Sequence, residues 1–389
     1  MKALLLTAPS RLEYVDFPNP RPAPDEVVVR VRACGICGSD IHGWDGSSGR
    51  RHPPLIMGHE AAGEIIALGA AVSGWQAGDR VTFDSTISCG ACRYCREGHI
   101  NLCDHRRVVG VSPKEYQQHG AFAEQLALPA RILYRLPDAL PFPQAAMVEP
   151  VSIAVHAVQR CLSAVITAAR LAPAEAPGGS AESAAAGDVG RRPTDGSSTA
   201  LAESPLLPPD TTAVVVGSGM IGLLIIQVLR WAGARQIVAV DLADNRLALA
   251  RTLGATHTFN SGTVDVAAAV AGLTDGQGAQ VSFEVVGFTP TLNLALAVLR
   301  RGGTCVLVGN LSAQTQNFPL QAAVTRELSL LGSCASAGEY PLCLDLISRG
   351  IVNVQPMIET IAPLAAGADW FAKLSARDGG KYLKVILAP

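Results

Sequence analysis

Short apolar runs set the rhythm of the first 155 residues. Positions 4–6, 27–31, 63–68, 80–83 and 121–128 are apolar or β-rich, and Pro, Gly or Asp bounds them. That punctuation predicts strands joined by turns, and so a strand-rich, partly barrel-like domain. Residues 39–44 depart from it and read as one helical turn or more, which would aim Ser39 and His42 the same way, three residues apart. From Thr212 the period changes. A buried strand at 213–216 leads into a helix at 220–231, a strand at 236–240, and a helix at 245–253 that stops at Gly254. Further strands are expected at 280–285, 304–308 and 328–331. Apolar runs of this length separated by helices predict a parallel sheet covered on both faces. The fold class is therefore α/β, a doubly wound parallel sheet beside a β-rich domain. The tail holds a helix at 341–349 and a last strand at 382–387 that returns to the first domain.

Composition sharpens these boundaries. Residues 1–160 form the first domain, with 336–389 returning to it, and 210–335 form the second. Between them 161–209 is a low-complexity insertion: positions 171–209 are dominated by Ala, Gly, Ser and Pro, carry no aromatic residue and show no sustained period. Such a stretch reads as a disordered or loosely packed loop. A solvated insertion without function is the expectation, with a subunit contact or a lid as the alternative.

At 389 residues the chain is too long for one hydrophobic core, which agrees with two domains. Its 31 basic residues nearly cancel its 33 acidic ones, so no long-range field favours nucleic acid or an anionic membrane. A small molecule is the expected partner. The apolar run at 3–6 is too short for a signal peptide. The longest apolar stretch, 213–229, is interrupted by Gly217, Gly219 and Gly222 and reads as strand then helix, not as a membrane span. Of ten cysteines, five sit at metal-ligand spacings, and the cytoplasm is the expected compartment.

Three constellations carry chemistry. Gly58-His59-Glu60 places an imidazole beside a carboxylate, and Cys37 supplies a thiolate twenty-two residues before His59. Sulfur, nitrogen and oxygen donors together suit zinc. Cys89, Cys92, Cys95 and Cys103 form a C-x₂-C-x₂-C-x₇-C lobe that can close a tetrahedron around zinc and leave no open position, with an iron–sulfur cluster as the minor alternative. Arg93, Arg96, Arg106 and Arg107 lie in the same segment to offset the thiolate charge. Finally Gly217-Ser-Gly219-Met220-Ile221-Gly222 follows a strand and opens a helix, the setting a dinucleotide fingerprint requires. The phosphates would sit at the helix N-terminus. Asp241, nineteen residues beyond Gly222, can hydrogen-bond the ribose hydroxyls and repel a 2′-phosphate, which favours NAD over NADP; Arg246 can reach the same ribose.

Taken together, Cys37-Gly-Ser39-Asp40-Ile-His42, Gly58-His59-Glu60-x-x-Gly63, the cysteine lobe, Val148-Glu149-Pro150 through His156, and the fingerprint resemble the zinc-containing medium-chain alcohol dehydrogenases, nearest the polyol (sorbitol) dehydrogenase branch. The resemblance covers nearly the whole chain except the insertion. It implies a GroES-like catalytic domain and a Rossmann NAD-binding domain, with one catalytic and one structural zinc. It also implies a catalytic zinc held by Cys37, His59 and an acidic group. Glu60 is preferred for that group and Glu149 stays open; ethanol-type relatives carry a cysteine where this chain has Glu149. The implied reaction is oxidation of a secondary alcohol to a ketone, with zinc as Lewis acid and hydride transfer to NAD. Ser39 would take the proton and pass it through the cofactor ribose towards His42. Asp40 and His156 are expected to be structural or to support the residues that hold the metal, and Cys34, Cys161, Cys305, Cys334 and Cys343 to be ordinary core thiols. A homodimer or homotetramer is the expected assembly.

Rival readings share the scaffold: a threonine or simple alcohol dehydrogenase, a phosphorylated-polyol (galactitol-1-phosphate-like) dehydrogenase, or a non-catalytic zinc and NAD binder. For the phosphorylated substrate, Arg50 and Arg51 before His52-Pro53-Pro54 could form an anion site, the plainer reading being two solvated surface arginines.

Overall fold

The structure, a computed structural model, describes residues 1–171, 206–310, 317–376 and 382–389. Most of the expected insertion, 172–205, lies outside the described residues.

Two large sheets organise the described chain. The first has seven strands, running in the order Leu133–Arg135, Arg80–Phe83, Glu60–Leu68, Glu26–Gly35, Lys384–Ala388 and Ile358–Pro363, with Gln125–Pro129 also paired to Glu26–Gly35. Glu26–Gly35 is its hub. Its valines at 27, 28, 29 and 31 are buried, as β-branched residues pack well on a pleated surface. Against it lie Glu60–Leu68 on one side, Lys384–Ala388 near its end and Gln125–Pro129 along its start, all antiparallel. The last strand thus joins the first domain's sheet, where Gly35 faces both Glu60 and Ile386 in register.

The second sheet is wholly parallel, in the order His257–Asn260, Gln236–Asp241, Thr212–Val216, Ala279–Glu284, Leu299–Leu307 and Ser329–Gly332. In chain order this is 3-2-1-4-5-6, the doubly wound arrangement whose dinucleotide crevice opens at the carboxyl end of the first strand. Thr212–Val216 is buried at every position, and the helix Met220–Trp231 behind it buries Gly222 through Leu229 without a break. An element apolar all round belongs in a core, which is why 213–229 is continuous without being a membrane span. Among the described residues no helix is long and apolar enough to cross a membrane.

Several elements differ from the periodicity. The helix Val148–Leu171 runs through position 161, where the insertion was expected to begin, and Cys161 and Leu162 on it are buried. Pro150 lies in the first turn of this helix, where its missing N–H is not needed. The strand expected at 121–128 starts only at Gln125, because residues 120–122 are engaged elsewhere: the N–H groups of Gly120, Ala121 and Phe122 donate to the carbonyls of Ile56, Gly58 and Met57. The helix Tyr340–Ser348 shares the core of Val148–Leu171 and Met220–Trp231 rather than that of the first strands.

Ile386 is fully buried on the last strand, facing Gly35 and Ile361 in register. Ile386→Ala should lower the unfolding free energy by about 2–5 kcal/mol with an unchanged denaturant slope, as read by urea titration. A loss below about 0.5 kcal/mol would mean the last strand contributes nothing to the common core.

Candidate active site

The metal corner is built where two of the first sheet's strands end. Glu26–Gly35 runs into Cys37, which precedes the helix Gly38–Trp44, and the turn at Gly58 delivers His59 and then Glu60 as the first residue of its strand. Ligand atoms of Cys37, His59 and Glu60 all lie within 4.8 Å of one another, and His59 and Glu60 are buried. One thiolate, one imidazole and one carboxylate converging in this way fit a zinc ion. Glu149 stands outside that group, near the start of the helix Val148–Leu171, with Ser85 Oγ 3.4 Å from its Oε1. Burial, with Glu60 and Asp84 adding to it, pushes its carboxyl up to about 7.

Two buried charge pairs hold the corner. Asp40 is fully buried: its Oδ2 accepts the Cys37 backbone N–H at 3.1 Å, and its Oδ1 lies 3.2 Å from Arg51 Nη2 and 3.3 Å from His59 Nδ1. Burial alone would raise the Asp40 carboxyl, but His59, Arg51 and the Cys37 N–H outweigh it and bring it down to about 2. The Asp40 carboxylate faces Nδ1 at 3.3 Å without the alignment of a hydrogen bond, and its charge there leaves Nε2 as the nitrogen for a metal. The other pair is Glu60 with Lys384. Lys384 is 3% exposed, and its Nζ donates to Glu60 Oε2 at 2.5 Å and to the Ile36 carbonyl at 3.1 Å. Burial opposes the ammonium charge, but Glu60 and Cys37 hold its pKa above the ordinary lysine value.

Arg51 is neither a surface arginine nor an anion arm. It is 8% exposed and committed to Asp40, so the anion site suggested for Arg50 and Arg51 loses the guanidinium nearer the metal turn. Ser39 is exposed and accepts from Arg51 Nη2 at 3.2 Å, while His42 Nδ1 lies 3.3 Å from Ser47 Oγ.

In the cysteine lobe the sulfurs of Cys89, Cys92, Cys95 and Cys103 also lie within 4.8 Å of one another. Backbone N–H groups point at them: Ala91 and Cys92 donate to Cys89 Sγ, and Cys89 and His105 to Cys103 Sγ. The Ala91 and Cys92 N–H groups bring the Cys89 thiol down to about 6, while burial pushes Cys95 up to about 12. Four sulfurs with amide donors fit a closed tetrahedral site. His156 braces the lobe: its Nδ1 is 2.8 Å from Glu339 Oε1, its Nε2 is 3.4 Å from Asn101 Nδ2, and Asn101 donates to the Cys334 carbonyl at 2.7 Å. A cavity of about 530 Å³ opens beside this brace, and none of the metal-corner residues lines it. Cys334 departs from expectation, since it is exposed with Arg106 Nη1 3.4 Å from its sulfur. Cys34, Cys161, Cys305 and Cys343 are buried.

At the fingerprint Gly217 has φ +102°, and a Cβ on Gly222 would strike the Gly217 carbonyl, so turn and helix can approach only as glycines. Gly219 caps the helix that begins with Met220 and Ile221. Asp241 ends the adjacent strand. Its Oδ2 accepts the Ser218 N–H at 2.7 Å, its Oδ1 accepts those of Leu242 and Ala243 at 2.8 and 2.9 Å, and Arg246 Nη1 lies 3.9 Å from Oδ2. The carboxylate is therefore locked beside the phosphate turn, with part of its acceptor capacity left for a ribose.

Sequence reasoning passed over Lys384 and the pairing role of Arg51. Both are single charges in apolar or loop contexts, and only their distant partners give them meaning.

The profile of the alcohol dehydrogenase GroES-like domain matches residues 23–138, and that of the zinc-binding dehydrogenases matches 221–349. L-idonate 5-dehydrogenase of Vitis vinifera is 33% identical, over 87% of this chain and 81% of its own length. Sorbitol dehydrogenase of Bacillus subtilis is 29% identical, over 92% and 89%. A crystal structure of a candidate zinc-binding dehydrogenase from Sinorhizobium meliloti, bound to NADP, superposes with a TM-score of 0.81 at 28% identity, over 100% of this chain and 99% of that one.

Metal analysis should find two zinc ions per chain, lost independently. Cys37→Ala should remove one and abolish turnover with the fold intact, whereas Cys95→Ala should remove the other and lower Tm, because a structural zinc contributes folding energy. One zinc in the wild type, or turnover surviving Cys37→Ala, would refute the assignment.

Proposed function

The chain belongs to the zinc-type medium-chain alcohol dehydrogenase family, a family of oxidoreductases, and from that premise we propose that it oxidises a secondary alcohol of a polyol or sugar derivative to a ketone, with NAD as hydride acceptor. The observation that carries this reading is the Cys37, His59 and Glu60 donor set, one thiolate with a carboxylate, in a chain that has Glu149 where ethanol-type members carry a second cysteine. L-idonate and sorbitol dehydrogenases, two of its relatives, are named for polyhydroxy substrates.

Cys37, His59 and Glu60 would hold the catalytic zinc, and Cys89, Cys92, Cys95 and Cys103 the structural one. When bound, the catalytic zinc supplies Lewis acidity towards the alcohol oxygen and the nicotinamide accepts hydride. The chain's own part is positioning and proton handling. Asp40 orients His59, and Lys384 holds one oxygen of Glu60. Ser39 Oγ receives the proton, and His42, three residues along the same short helix, exchanges it with solvent. The main-chain N–H groups at Gly219 to Gly222 receive the cofactor phosphates. Asp241, held by three N–H groups, places fixed negative charge where a 2′-phosphate would lie, which favours NAD even though one structural neighbour was solved with NADP.

Within this reading residues 1–160 and the returning strands are the catalytic unit and 210–335 the NAD-binding unit. A homodimer or homotetramer is supported by Ser329–Gly332, an edge strand of the parallel sheet among the described residues, near which Leu320 and Val324 are 63% and 66% exposed. Thiolate metal sites and buried free thiols are consistent with the cytoplasm. A neutral polyol is preferred to a phosphorylated one because Arg51 is already paired.

A screen of NADH formation should give its highest kcat/KM with sorbitol, xylitol, galactitol or related sugar derivatives, above threonine, short alcohols and polyol phosphates. A threonine or ethanol optimum would overturn the polyol reading. Asp241→Ser with Leu242→Arg should shift preference towards NADP by removing repulsion and adding a phosphate partner. A wild type that already prefers NADP would refute the role given to Asp241.

A further inference from the structure

We propose that Arg51 is a positioning residue for the proton step: it fixes the Ser39 hydroxyl and ties it to the side chains that hold the catalytic zinc. The inference rests on the relay reading of Ser39 given above.

The path of the side chain is built for this. The segment carrying Arg51 is clamped to a distant loop, with Ser112 N–H donating to the Arg50 carbonyl at 3.1 Å and His52 N–H to the Ser112 carbonyl at 3.0 Å. From there the side chain crosses the helix Gly38–Trp44 directly over Gly43, where an added Cβ would fall on its Cγ, Cδ and Nε. Only a glycine leaves that passage open. The side chain ends with one nitrogen, Nη2, 3.2 Å from both Ser39 Oγ and Asp40 Oδ1. Arginine carries donors only and keeps its charge throughout the physiological range. A hydroxyl has one donor and two acceptor sites. With Arg51 filling one acceptor site, the Ser39 proton must point away from the guanidinium, and the remaining lone pair takes the substrate proton as the hydroxyl's own proton passes on towards His42. Ser39 is exposed while the guanidinium beside it is buried, so a buried group orients an exposed one.

Asp40 makes the arrangement affordable and couples it to the metal corner. It offsets the buried guanidinium, and the same carboxylate accepts the Cys37 N–H and faces His59 Nδ1. A buried charge without such a counterion would be strongly unfavourable. Arg51 therefore acts on the reaction through Ser39, and on the metal-binding side chains only through Asp40. These two routes can be separated.

The experiment uses the full-length zinc-loaded enzyme with its best polyol and NAD. It compares wild type, Arg51→Ala, Ser39→Ala and the double variant for kcat, both KM values, zinc content and Tm. Arg51→Ala should lower kcat roughly ten- to a hundredfold, the loss typical of a misplaced group or a missing charged hydrogen bond. Zinc content and the KM for NAD should stay unchanged, and millimolar guanidinium should restore part of kcat. In the Ser39→Ala background the same change should cost less than threefold. Equal losses in both backgrounds, or a loss explained by missing zinc, would overturn the role of Arg51 while leaving the relay intact. A silent Ser39→Ala would overturn the relay and the positioning role with it. Should Arg51→Ala not fold, Arg51→Lys keeps a charge for Asp40 without the forked reach, and the same cycle with it decides the question.

Discussion

The metal corner depends on the neutralisation of buried charge. Asp40, Arg51, His59, Glu60 and Lys384 are each less than a tenth exposed, in a region otherwise formed by apolar strands. Isolated, any of these ions would cost several kcal/mol to bury. They are tolerated because each meets an opposite charge or an oriented N–H: Asp40 meets Arg51, His59 and the Cys37 amide, and Glu60 meets Lys384. The pairs also reach the groups proposed to bind metal and move protons. Removing one member would therefore leave an uncompensated charge next to the chemistry and would not simply loosen the fold.

The nucleotide side follows a different logic, with packing where the metal corner has charge. Thr212–Val216 and Met220–Trp231 are buried nearly throughout, so the turn between them is held rigidly from both ends. The glycines at 217 and 222 permit the contact of helix on strand, and Asp241 is anchored by three main-chain N–H groups, with Arg246 3.9 Å from its Oδ2. A carboxylate bound in this way keeps its negative charge available, which is the property the proposed NAD preference needs.

What the sequence made legible is what is local. The four-cysteine lobe spans 89–103, the fingerprint 217–222, and the parallel strands are uninterrupted apolar runs, so periodicity and spacing suffice to place them. Illegible features depend on partners far along the chain. The strand expected at 121–128 is shortened because residues 120–122 bond to 56–58, and Pro150 conceals a helix start that is permitted only because it lies in the first turn. Arg51 looked like a loop arginine until the passage over Gly43 and the burial of Asp40 were visible. Cys334 carries no signal that separates it from the buried thiols; its exposure follows from its place just past the edge strand.

The same distance dependence orders the assembly of the site. Lys384 meets Glu60 across 324 residues, and the strand that carries it lies beyond the whole parallel sheet in the chain before it pairs with Glu26–Gly35. Contacts of such separation carry the largest loop-closure cost and form late unless something strong rewards them. Without Lys384, Glu60 would be a carboxylate in an apolar strand end with no lysine beside it, so the final geometry of the corner depends on the docking of the last strand. The seven-stranded sheet closes around the nucleotide domain in sequence, and the carboxylate proposed to bind zinc is positioned by the residue that closes it. The carboxylate proposed to bind zinc and the closing of the first sheet thus share one contact, Glu60 with Lys384.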